Sequence, residues 1–268
     1  MKQSFLTLLI AVATIATHAQ KLPNKQEASL KASANVKIDG KPTEWGDFKA
    51  YNSATGLLYT IANDDQNLYM IIQTKISGIR DKIWSGGISL IFSKAAGAGQ
   101  NTICSLTYSA LPKDRRAIIG NLMKDTLADL KAINNAIAGS VKTIAIKNFD
   151  GVSEDVISIY NSYGIAAASY MTDKNTYTCE IAIPLKYLKS AANSQSVIKY
   201  TLQANAMSFA NSTVSINGKE VDGASVSPKL IELINNSNQS QSIIEPGAIP
   251  IKELINDTNV SGEYTLAK

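Results

Sequence analysis

The chain contains one histidine, His18, and it lies in a stretch with the marks of a segment that is removed. Met1-Lys2, the apolar run from Phe5 to Ala16 and the small residues Thr17 and Ala19 read as a secretory signal over residues 1–19. The start is basic, the apolar run is too short to span a bilayer, and small residues sit at the cut. The exported product is then expected to carry no imidazole. That excludes Ser-His-Asp and Cys-His catalysis, histidine-ligated zinc or copper, and histidine proton transfer near neutral pH. Carboxylate, lysine and oxygen-ligand chemistry stay open.

Carboxylates gather in three places. Asp64 and Asp65, between Asn63 and Asn67, offer oxygens either to calcium or to a turn. Calcium takes about six to eight oxygens, and this loop lacks EF-hand spacing. Glu44 with Asp47, and Glu154 with Asp155, come nearest to a hydrolytic pair, which must hold two carboxyls roughly 5 to 9.5 Å apart. Neighbours on a strand face opposite sides, so Glu154 and Asp155 do not easily share a substrate. Cys104 and Cys179 fall on the apolar sides of their strands, and either a disulfide or two buried thiols would fit. Trp45, beside a turn and ahead of Phe48, reads as a core plug. Trp84, in the loop-like segment Lys82 to Gly87, is either a second core residue or the ring offered to a sugar, in the latter case with Asn101 and Tyr108 as hydrogen-bonding neighbours.

Short strands must position these groups. Alternating apolar and polar residues mark strands at 57–62, 68–75, 88–93, 102–109, 143–146, 156–160, 165–170, 176–183 and 198–207. Val36 to Asp39 is expected to be a strand running into the Asp39-Gly40 turn, and Asn63 to Asn67 to close a hairpin. Asn217-Gly218 should close a second hairpin between 213–216 and 219–221, and 262–266 a last strand. From 113 to 138 the apolar residues recur at three- and four-residue steps, between Pro112 and Gly139, which predicts one inserted amphipathic helix. Residues 20–34 look like a polar leader and 235–242 like a polar low-complexity loop.

The fold class expected is therefore all-β: an antiparallel β-sandwich, immunoglobulin-like or jelly-roll-like, in one domain over residues 35–268. With 45% hydrophobic residues the chain can fill a core. A net charge of +4 is too slight to imply nucleic acid, and no later run reaches the roughly 18 apolar residues of a membrane span.

The order of three motifs resembles the family 9 carbohydrate-binding module and its DOMON-like relatives. They are Ile38-Asp39-Gly40 with Trp45, then Asn63-Asp64-Asp65-Gln66-Asn67-Leu68-Tyr69, then Glu180-Ile181-Ala182-Ile183-Pro184 with Leu188. The likeness spans about Val36 to Met207 and implies an exported Gram-negative protein of the Bacteroidetes type, periplasmic or secreted. It also implies a sandwich that holds sugar chain ends between aromatic rings, at times with calcium nearby. In that frame Asp39, Gly40, Trp45, Glu180 and Pro184 read as scaffold, with Glu180 facing outward or pairing locally. Two departures stand out: Trp84 is followed by Ser85-Gly86-Gly87 where many relatives carry acidic residues, and without histidine a haem has no imidazole ligand. A non-catalytic glycan-binding sandwich is the leading expectation. A periplasmic or surface protein-interaction module without a sugar site comes second, and a carboxylate-based glycoside hydrolase third.

Overall fold

A computed structural model describes residues 21–93, 103–108, 110–207, 213–216, 219–222 and 251–268. Residues 1–19, read as a signal, Asn101, and residues 235–242, read as a polar loop, lie outside these residues. In chain order the strands are β1 (Ala50–Asn52), β2 (Leu57–Asn63), β3 (Asn67–Thr74), β4 (Ile88–Ser93), β5 (Ile103–Tyr108), β6 (Thr143–Lys147) and β7 (Val156–Ser158). They continue with β8 (Ala166–Met171), β9 (Tyr177–Pro184), β10 (Val197–Ala204), β11 (Thr213–Ile216), β12 (Lys219–Asp222) and β13 (Thr258–Thr265). The helices are α1 (Ser77–Gly86), α2 (Lys113–Lys124), α3 (Leu130–Ser140) and a short helix at Ile251–Ile255.

The protein is an all-β sandwich of two antiparallel sheets. One has five strands in the order β1-β2-β3-β9-β8, and the other six in the order β13-β10-β4-β5-β6-β7. Period-two alternation explains the stacking. Tyr59, Ile61, Met70, Ile72, Cys179 and Ile181 of the first sheet share one apolar cluster with Leu90, Phe92, Leu106, Tyr200 and Leu202 of the second. The hydroxyls of Tyr59 and Tyr200 meet at 3.0 Å inside it, so two buried polar tips satisfy each other.

Three expectations need correction. The 113–138 helix is two helices, because Asp129 caps α3 by accepting from the Ala132 N–H and so begins a new helix. Gly139 lies inside α3, which borders β8, the outer strand of its sheet. There the Asn134 side chain donates to the Met171 carbonyl and accepts from the Met171 N–H, covering part of an exposed edge. Residues 36–39 form no strand: Val36 packs on the sheet but has no ladder partner. The segment containing Trp84 is helical, not loop-like.

The described part of the polar leader, residues 21–34, is built into the sandwich. The Gln26 side chain donates to the Ile61 carbonyl and accepts from the Ile61 N–H, mimicking a strand beside β2 where β1 has ended. Leu30 and Ala32 exchange backbone hydrogen bonds with Asn63, and the Leu30 carbonyl accepts from the Tyr264 hydroxyl. The N-terminal segment thus joins the border of one sheet to β13 of the other.

Candidate functional site

Of the residues that carry the resemblance, Asp39, Gly40, Trp45, Tyr69 and Glu180 converge on the outer face of the five-stranded sheet, while Leu68, Ile181, Ile183 and Leu188 lie in the main core. Glu180 sits on β9 between Ile71 of β3 and Ala168 of β8 and is fully buried. Its carboxylate accepts from the Asp39 N–H at 2.9 Å, the Gly40 N–H at 2.6 Å and the Trp45 indole N–H at 2.6 Å. Strand alternation correctly points Glu180 away from the main core. That face is nonetheless covered, because Trp45, Val36, Phe48 and Leu30 pack over Ala62, Ile71 and Tyr69. Burial pushes the Glu180 carboxyl up to about 7, against the three donors that favour its charged form. Gly40 has a φ of +84°, and a Cβ there would lie 2.6 Å from the Ser169 backbone, so only glycine lets this turn lie flat on β8. Pro184 ends β9 opposite Asn67.

Asp64 and Asp65 go to separate partners. Asp64 accepts from the N–H groups of Gln66 and Asn67 and from the Tyr69 hydroxyl, each at 2.7 Å. Partial burial raises its pKa, but these donors outweigh that and hold it below the usual carboxylate range. Asp65 pairs with Lys31 of the N-terminal segment. Among the described residues no group of three His, Cys, Asp or Glu side chains is placed to hold a metal ion.

Trp84 is 4% exposed, so it has no ring face to offer a sugar. It stands edge-on to Tyr177 at 6.2 Å, with the Arg80 guanidinium 4.9 Å from its ring centre. Tyr108 is likewise buried, and burial raises its pKa. Cys104 and Cys179 are buried thiols with no disulfide between them, and burial pushes the Cys179 thiol up, away from the reactive thiolate. Glu154 accepts from the Tyr163 hydroxyl, 2.6 Å from either carboxylate oxygen, and Glu44 from Thr43. Lys82 is fully buried and donates to the Asn256 carbonyl at 2.6 Å and the Thr258 hydroxyl at 3.0 Å. Burial lowers it to about 8 while Asp257 and Glu253 oppose the shift. It ties α1 to the start of β13.

The open surface lies on the other sheet. The outward residues of the six strands form rows in register and are partly or fully exposed, except Ser89, which is buried against Thr107 and Asn205. The first row runs Asn259, Gln203, Ser89, Thr107, Ala145, Val156 across all six strands. The second runs Ser261, Thr201, Ile91, Ser105, Lys147, and the third Glu263, Lys199, Ser93, Ile103. Comparisons with family models, curated proteins and solved structures return no match to this chain. The geometry of the face is therefore the guide to what it does. Its hydroxyls are preordered: Ser89 meets Thr107 at 2.7 Å and Asn205 at 3.1 Å, Gln203 donates to Asn205 at 2.9 Å, and Thr201 meets Ser261 at 2.7 Å. The charges in these rows are the Lys199–Glu263 pair, 3.4 Å apart, and Lys147. Just beyond β7, Tyr160 is 81% exposed, and no other aromatic ring among the described residues is open to this degree.

Sequence reasoning passed over this face because Ser and Thr on the outward side of a strand are unremarked locally. The signal was their recurrence, in Ser89, Ser93, Ser105, Thr107, Thr201 and Ser261. Only strand order brings it together.

Proposed function

We propose that the protein is an exported, non-catalytic β-sandwich that binds neutral carbohydrate on the outer face of its six-stranded sheet. One observation carries this reading: hydroxyl and amide side chains predominate in the first two registered rows, where Asn259, Gln203, Thr107, Ser261, Thr201 and Ser105 are at least partly exposed and Lys147 is the one charge, while the other sheet's outer face is covered. Sugars present hydroxyls that both donate and accept, and Ser, Thr, Asn and Gln do the same. A surface with one internal ion pair and one further lysine has no cation cluster to select acidic polymers. Tyr160, at the β7 border, supplies the exposed ring that stacking on a sugar requires.

The test is affinity electrophoresis through gels containing neutral or acidic polysaccharides. Retardation by a neutral polymer, reduced in Thr201→Val, Gln203→Ala and Tyr160→Ala, is the expected result. A second reading, docking of a protein partner, draws on Leu127, which is 92% exposed between α2 and α3. Leu127→Asp would leave glycan binding unchanged and abolish that docking.

A further inference from the structure

We infer that the open face takes an internal stretch of an extended neutral polysaccharide laid across the strands, rather than a chain end. This rests on the glycan reading above and adds the part of the polymer recognised and its direction. Hydrogen-bonded strands stand about 4.8 Å apart, close to the length of one hexopyranose ring along an equatorially linked chain. The row from Asn259 to Val156 places one side chain on each of the six strands, so a polymer along it advances one strand with each ring and meets a new side chain on all but β4, where Ser89 is buried. The row from Ser261 to Lys147 lies two residues further along each strand, about 6.8 Å away. Between them is a lane one sugar ring wide. Hydroxyl or amide groups flank it at Asn259, Ser261, Gln203, Thr201, Thr107 and Ser105. Half-buried Ile91 flanks it on β4, between Thr201 and Ser105, and offers an apolar side to the C–H face of a ring.

A chain-end site needs a wall that closes behind the terminal sugar. This lane runs out over β13 on one side and β7 on the other, the outermost strands of the sheet. Asn259 and Val156 at its two limits are exposed, Val156 by 58%. The hydroxyl pairs Thr201–Ser261 and Ser89–Thr107 are already oriented, so binding orders few further side chains.

Calorimetric titration of the whole protein decides this, with cello-, xylo- and manno-oligosaccharides from disaccharide to hexasaccharide, each uncapped and with its ends blocked. We expect affinity for one series to rise with each added ring, to be indifferent to blocked ends, and to fall about fivefold in Thr201→Val and in Gln203→Ala. Full affinity already at the disaccharide, or loss of binding on blocking an end, would overturn the internal-chain mode and leave glycan binding standing. Absence of binding to every oligosaccharide and to the parent polysaccharides would overturn both.

Discussion

The outer faces of the two sheets are built from strands of similar length and the same alternation, yet one is covered and the other open. On the five-stranded sheet the residues facing away from the core include Ile71, Ala62 and Glu180, which would be costly in water or useless there, and the N-terminal segment covers them. On the six-stranded sheet the equivalent positions are mostly Ser, Thr, Asn and Gln with one ion pair and Lys147, and the apolar Ile91, Ile103, Ala145 and Val156 stand among them. Outward polarity therefore has two meanings in this molecule. Glu180 is polar in order to hold the cover down. The rows on the other sheet are the surface proposed to meet a ligand.

Substitutions on the two faces should separate stability from binding. The largest effect is expected for Trp45→Ala, which removes a buried indole and one of three donors to Glu180. It should cost about 3–5 kcal/mol, read as a lowered urea midpoint. Next is pH. The folded-state pKa of Glu180 is raised from 4.5 to about 7, so the unfolded chain loses its proton first as pH rises. The stability this group contributes is then full below about 4.5 and lost as pH climbs through about 7, by up to about 3 kcal/mol. Glu180→Gln should flatten that part of the curve, and an unchanged slope in the variant would contradict the assignment. Gly40→Ala, at a φ of +84° and against the Ser169 backbone, should cost about 2 kcal/mol. Smallest are Thr201→Val and Gln203→Ala on the open face, within about 0.5 kcal/mol of the parent, with binding impaired all the same.

The strands were largely legible, because period-two alternation is local and survives whatever packs on either side. The β2–β3 hairpin and the all-β class follow from it. Three things were not legible. Helix α1 buries Ile79, Lys82, Ile83, Trp84 and Ser85, of which only Ile79 and Ile83 form an aliphatic pair at helical spacing, and it has Gly78 and Gly86 within it, so it passed for a loop. The break in the 113–138 helix rests on the cap at Asp129, which the apolar period runs straight across. The burial of Glu180 depends on residues 39–45, far away in sequence, and alternation predicts only which way it points. The open face is the mirror case, since its residues are ordinary one strand at a time and become a surface only through strand order.

One experiment compares the faces directly: affinity electrophoresis in neutral polysaccharide of the parent, Thr201→Val, Gln203→Ala and Glu180→Gln, each shown folded by its unfolding midpoint. The account predicts a retarded parent, near-normal mobility for the two open-face variants despite parent-like stability, and parent-like retardation for Glu180→Gln despite its altered pH dependence. Retardation unchanged by the open-face substitutions, or lost only with Glu180→Gln, would contradict it.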